Sequence, residues 1–287
     1  MTVFLNGVFL PLAEAHISPL DRGFLFGDGV YEVIPVYAGK LFRGDQHLDR
    51  LQNSLNGIRL SNPHSKQEWT QILEKLISQQ PHDNLSIYLQ VTRGADSKRD
   101  HSFPVNDVQP TVFIMANKLK TTPVATTQDG VCAVTQPDDR WEHCDIKAIT
   151  LLANILLRQE ATDQGCAETI LVRNGIVIEG AASNVFVVSD GVIKTPNKGH
   201  QMLTGITRDL VLEIAASQNI QTVECDIPVD ELFSADEVWI SSSTKEVLPV
   251  IQIDGKQING GKSGPVWQKL ISYYADYKER LVAGEIS

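Results

Sequence analysis

Cysteine is scarce in this chain, four in 287 residues, and none of the four (Cys132, Cys144, Cys166, Cys225) stands in a C-x-x-C pair. A zinc knuckle and a thioredoxin-like redox motif are therefore excluded. The sparse placement suits a reducing cytosol, with the thiols expected as small buried hydrophobes. No apolar run approaches the length of a membrane span. The opening MTVFLNGVFLPLA has no basic stretch and is broken by Asn6-Gly7, so it reads as a hairpin and not as a signal peptide, and a cytoplasmic protein is expected. Basic residues are outnumbered, giving a formal net charge of −10, which argues against general nucleic-acid binding. Repeats and low-complexity segments are absent, and no metal ligand set is read. What remains is a globular chain, 42% hydrophobic, with enough length for a sizeable core.

Turn signals and apolar periodicity divide it. Asn6-Gly7, Asn174-Gly175 and Asp190-Gly191 are pairs that accept positive φ, and each predicts a hairpin. Leu48, Leu51, Leu55 and Ile58 form one apolar stripe, predicting a helix over 45–58 that carries His47 and Arg50 on another face. Ser65 is a candidate cap for a helix over 66–79. Further helices are expected near 149–164, 206–217 and 264–282, and strands near 85–93, 110–116, 130–135, 221–226, 236–242 and 247–253. Helices and strands interleave without a regular βαβ rhythm, which favours α+β over a doubly wound sheet. The polar, proline-ended stretch NKLKTTP suggests a boundary: a small domain over 1–117, a linker over 118–123 and a larger domain over 124–287 that carries Lys147.

Certain residues suggest chemistry. Lys147 sits among Ile146, Ile149, Leu151 and Leu152, an odd setting for a solvated lysine and a fitting one for a nucleophile toward carbonyls. Glu179 ends a short strand and is followed by the small residues Gly180, Ala181, Ala182 and Ser183, which let a flat ring approach the backbone. Thr204 or Gly205 opens a helix whose free amides at Ile206 and Thr207 suit a phosphate, with Arg50 available as a full charge.

GFLFGDGVYEV at 23–33, HLDR at 47–50, DIKAITLLANILLRQEA at 145–161, EGAASNVF at 179–186 and LTGITRD at 203–209 together resemble the fold-type IV enzymes that depend on pyridoxal 5′-phosphate (PLP). That family includes branched-chain and D-amino-acid aminotransferases and aminodeoxychorismate lyase. The resemblance implies a two-domain fold with PLP between the domains, and a homodimer. It implies Lys147 as the Schiff-base lysine, Glu179 at the pyridine nitrogen, and Leu203 against the ring. Arg50, Ile206, Thr207 and Ser243 would hold the phosphate, and Arg140 would lie behind these groups near Lys147.

The segment TRGADSKRDHSFP carries Arg99 and His101 one residue apart. In this frame the pair resembles the carboxylate site of aminotransferases that act on D-amino acids, with Tyr31 as the third member. A guanidinium forks onto a carboxylate, and imidazole and phenol add donors. The two side chains converge only if the backbone bends, and Asp100 between them departs from a purely basic loop, which would weaken the trap. The implied reaction is ping-pong transamination between a D-amino acid such as D-alanine and a 2-oxo acid such as 2-oxoglutarate. The alternatives are a branched-chain L-amino-acid or (R)-amine transaminase, and a lyase of the aminodeoxychorismate type.

Overall fold

A computed structural model of the chain describes residues 1–105, 108–120 and 129–286. The chain divides into two compact units. One comprises residues 1–119, 146–150 and 281–287, and the other comprises 120–145 and 151–280. Residues 121–123 of the expected linker lie outside the described residues.

The first unit is built on six antiparallel strands in the order β2-β1-β6-β5-β3-β4. These are β1 (Thr2–Leu5), β2 (Val8–Pro11), β3 (Gly29–Tyr37), β4 (Lys40–Leu41), β5 (Leu85–Thr92) and β6 (Thr111–Lys118). The β1–β2 hairpin turns on Asn6 and Gly7, at φ 48° and 93°. Strand β5 buries alternate residues, Leu85, Ile87, Leu89 and Val91, as a strand with one face on a core must. Helices α2 (Gly44–Gly57) and α3 (Lys66–Ser78) cover that face. Their stripes, Leu48, Leu51 and Leu55 on α2 and Trp69, Leu73 and Leu76 on α3, complete the core against Val30, Ile34 and Val36 of β3. Ser65 caps α3 through a reciprocal pair with Glu68.

Strand β3 is the element that periodicity does not reveal, because GVYEVIPVY is nearly all apolar and contains Pro35. Its position explains the tolerance. Tyr31 N donates outward, away from β5, to the Lys147 carbonyl at 2.9 Å. The period of two puts the missing Pro35 N–H on that same outer side, where β4 supplies only a two-residue partner. Residues 146–150 run along this edge through a Val30–Ala148 bridge and an Ile149 N to Gly29 O bond of 3.1 Å. Lys147 thus belongs to the first unit and not to the C-terminal domain expected to carry it. For the same reason the helix expected from 149 begins only at Leu152.

The second unit holds a nine-stranded mixed sheet in the order β12-β11-β10-β13-β14-β7-β8-β9, with β15 (Lys256–Gln257) on β14. Its strands are β7 (Val131–Pro137), β8 (Glu168–Arg173), β9 (Ile176–Gly180), β10 (Asn184–Ser189), β11 (Val192–Thr195), β12 (Thr222–Glu224), β13 (Glu237–Ser242) and β14 (Glu246–Ile253). The helices are α4 (Leu152–Asp163), α5 (Ile206–Ser217), α6 (Val229–Ser234) and α7 (Pro265–Ala283). Ile170, Val177, Val185, Val187, Val238, Ile240 and Val250 form its core. Strands and helices are thus mixed without regular alternation, an α+β arrangement. No helix among the described residues is long and apolar enough to cross a membrane.

The cysteines depart from the expectation of four small hydrophobes. Cys132 and Cys166 form a disulfide, with Cα atoms 4.8 Å apart. They are 34 residues apart in sequence and meet because β7 and β8 run parallel and adjacent, a pairing that spacing alone does not signal.

Candidate active site

In the first unit the chemistry gathers on β3. Side chains alternate along it, so Glu32 shares the core face of Val30 and Ile34 beneath α2, while Tyr31 points the other way. A carboxylate with no solvent exposure needs partners, and α2 supplies two from positions three apart. Arg50 donates through Nε to Glu32 Oε1 at 2.7 Å and through Nη2 to Oε2 at 2.8 Å. His47 Nδ1 lies 2.7 Å from Oε2. Burial alone would raise the Glu32 pKa, but Arg50 and His47 outweigh it and hold the carboxyl at about 2. Burial pulls the His47 pKa downward against the pull of Glu32. The HLDR spacing was legible in sequence, yet the acid it serves was not.

On the opposite face Tyr31 packs against Tyr88, ring centroids 5.7 Å apart, and Lys147 Nζ stands 4.3 Å from the Tyr31 centroid. Lys147 is half-buried, and its main chain is fixed on both sides. Its amide reaches Ser54 Oγ at 3.2 Å and its carbonyl accepts from Tyr31 N. The amine is thereby presented from a backbone hydrogen-bonded at both its amide and its carbonyl.

Arg99 and His101 are exposed and converge on one ring. The Arg99 guanidinium lies 4.9 Å from the Phe26 centroid, and the His101 ring 5.3 Å from it. The bend that brings them together is made by Asp100, whose Oδ1 accepts from Ser102 N at 3.1 Å. Asp100 therefore shapes the loop. The structure sets these two around Phe26, and Tyr31 with Tyr88 and Lys147.

In the second unit Glu179, at the end of β9, is buried. Its Oε1 accepts from Arg140 Nη1 at 2.8 Å and its Oε2 from Leu203 N at 3.1 Å. Arg140 is itself held by Asp138, Nε to Oδ1 at 2.9 Å. Burial pushes the Glu179 carboxyl up to about 7, with Arg140 opposing. This acid can hold or release a proton near neutrality. Leu203 is pinned from its other end as well, because Asn184 Nδ2 donates to its carbonyl at 2.8 Å. Asn184 also faces Gly205, where a Cβ would meet Asn184 Oδ1 at 2.0 Å. Only glycine fits that approach.

Gly205 is the N-cap of α5 and brings no side chain to the helix tip. The amides of Ile206 and Thr207 at its tip suit an anion. Ser183 Oγ and Ser241 Oγ are buried hydroxyls without a hydrogen-bond partner among the described residues. They belong to the same sheet end, where Asn184 pairs with Ser241. Ser243 lies half-buried in the turn that follows. A helix tip that opens on glycine, two buried hydroxyls and a buried acid raised to about 7 fit a phosphorylated heterocycle. Glu32, His47, Asn184, Asp138, Tyr88 and Phe26 are members of these clusters to which the sequence pattern assigns no role.

Three comparisons bear on this geometry. Residues 29–253 match the model of the family described as amino-transferase class IV. The chain is 41% identical over 277 residues to the D-alanine aminotransferase of Staphylococcus aureus (strain N315), covering 96% of this chain and 98% of that protein. It is 39% identical over 278 residues to the D-alanine aminotransferase of Listeria monocytogenes serotype 1/2a (strain 10403S), covering 96% of each. Among solved structures, the branched-chain aminotransferase of the thermophilic archaeon Thermoproteus uzoniensis with norvaline superposes with a TM-score of 0.85 at 29% identity, over 99% of this chain and 95% of that one. This chain belongs to the class IV aminotransferases, enzymes that transfer amino groups.

Proposed function

We propose that the enzyme is a PLP-dependent D-amino-acid aminotransferase that works as a homodimer and exchanges the amino group of a D-amino acid such as D-alanine with a 2-oxo acid such as 2-oxoglutarate. The observation that carries this reading is the near full-length likeness to D-alanine aminotransferases at 41% identity. The pairing of Arg99 with His101 around Phe26 supports it. When bound, PLP supplies an electron sink for the charge that develops at the substrate Cα.

The chain's own residues do the rest. Lys147 would hold the cofactor through Nζ and, when freed, would carry the proton taken from the substrate Cα on that same atom and deliver it to the cofactor carbon rather than back to Cα. Glu179 would face the pyridine nitrogen, its carboxyl raised by burial to about 7 in the cofactor-free chain. Arg140 and the Leu203 amide fix its two oxygens. The Ile206 and Thr207 amides, with Arg50 and Ser243, take the phosphate, and Leu203 lies against the ring. Arg50, clamped on Glu32, offers its charge from a fixed place. Arg99, His101 and Tyr31 bind the substrate carboxylate, and the side of the ring on which they hold it selects the D-enantiomer.

The branched-chain alternative draws support from the Thermoproteus uzoniensis structure. A panel of D- and L-amino acids with and without 2-oxoglutarate separates the readings. D-alanine should be turned over, and only with the acceptor present. Activity confined to L-leucine would establish the branched-chain enzyme, and pyruvate release without an acceptor would establish a lyase.

A further inference from the structure

A cluster in the second unit lies outside the residues assigned above. His143, Asp145 and His200 bring one ligating atom each within 4.8 Å of one another. Asp145 and His200 are 55 residues apart, so no spacing motif announces them. The backbone fixes their approach, since the amides of Cys144 and Asp145 both donate to the His200 carbonyl, at 2.7 and 3.3 Å. His200 Nδ1 stands 3.0 Å from Asp145 Oδ2, and the two imidazole centroids are 5.8 Å apart. Both histidines line a pocket of about 590 Å³. The His200 side chain is 75% exposed, which gives an ion a direct path.

We propose that His143, Asp145 and His200 form a binding site for a divalent transition-metal ion of the Zn²⁺ or Ni²⁺ class. Two imidazoles and a carboxylate are a donor set for such ions and a poor one for Mg²⁺ or Ca²⁺, which take oxygen ligands. Tetrahedral bonds of about 2.1 Å require ligand atoms roughly 3.4 Å apart. Metal binding would require side-chain rotation to close the present spread of up to 4.8 Å to that value. Solvent completes the coordination, as in sites with three protein ligands.

The test is calorimetric titration of the PLP-loaded enzyme with Ni²⁺ and Zn²⁺, with Mg²⁺ as control. One ion per chain should bind, and His200→Asn and His143→Gln should each weaken it about tenfold or more, while the cofactor's visible absorbance stays unchanged. Wild-type affinity in both variants, or no saturable binding to the wild type, overturns the proposal.

An independent observation in the first unit supports a second inference, which rests on the reading of Arg99 and His101 as carboxylate ligands. Arg22 is buried at the start of α1 (Arg22–Phe26). Its Nη1 donates to the carbonyls of Asp100 and Ser102 at 2.6 and 3.1 Å, and its Nη2 to that of His101 at 3.2 Å. Its Nε donates to Asp28 Oδ2 at 2.8 Å, and Arg93 braces Asp28 in turn at 2.8 and 3.0 Å. We infer that Arg22 is a positioning residue for substrate affinity. By gripping three consecutive carbonyls it turns the Arg99 and His101 side chains onto Phe26. Only a planar guanidinium fork reaches all four acceptors at once.

Arg22→Lys should raise KM for D-alanine about tenfold with kcat changed less than about twofold and with PLP absorbance and thermal midpoint retained. Arg99→Ala runs in parallel. If Arg99→Ala raises KM and Arg22→Lys does not, the positioning role falls alone. If neither moves KM, the carboxylate reading falls with it.

Discussion

Arg50 and Glu32 meet through two hydrogen bonds of 2.7 and 2.8 Å, and the Glu32 carboxylate has no exposure to solvent. The folded-state pKa of Glu32 is lowered from 4.5 to about 2. Its contribution to stability is therefore full above 4.5 and is lost as pH falls through about 2. Glu32→Gln removes the acid and leaves the Arg50 charge buried, which should cost about 3 kcal/mol at neutral pH. Urea unfolding across the acid range checks both statements: the variant should start lower and lose less on acidification.

Glu179 behaves in the opposite sense. Its pKa is raised to about 7, so in the cofactor-free chain its stabilising contribution is present below 4.5 and is lost as pH rises through about 7. The apoprotein's thermal midpoint should fall over that interval, and Glu179→Gln should flatten the fall. In the holoenzyme the same substitution replaces an acid with a neutral amide beside the ring nitrogen. A loss of kcat of about 100-fold is expected, read by steady-state kinetics with PLP at saturation.

Gly205→Ala tests the helix tip. The added Cβ would lie 2.0 Å from Asn184 Oδ1, so either Asn184 releases the Leu203 carbonyl or the start of α5 shifts. Overpacking of this kind costs about 1–3 kcal/mol. PLP should dissociate more readily, measured by dialysis and reloading, while the fold survives by circular dichroism.

The parts legible in the sequence are those whose signals are local. The hairpin turns at Asn174-Gly175 and Asp190-Gly191 have φ of 53° and 78°, and 51° and 74°, which those residue types announce. The helix Ile206–Ser217 lies where its apolar periodicity put it. Strand β3 was hidden because its apolar run has no period and Pro35 speaks against a strand. The attachment of residues 146–150 to its edge and the Cys132–Cys166 disulfide depend on tertiary pairing that no local pattern encodes. The same holds for the site. Arg50 was visible as half of an HLDR motif, but its acid lies on another element, and Arg22 shows its role only once the loop folds over it.

Lys147 Nζ is the atom proposed to hold PLP, and borohydride reduction of the holoenzyme followed by peptide mass mapping tests this directly. A stable phosphopyridoxyl group is expected on Lys147 in the wild type, and none on any lysine of Lys147→Ala, together with loss of the visible absorbance. A label on a different lysine, or a label that persists in the variant, would contradict it.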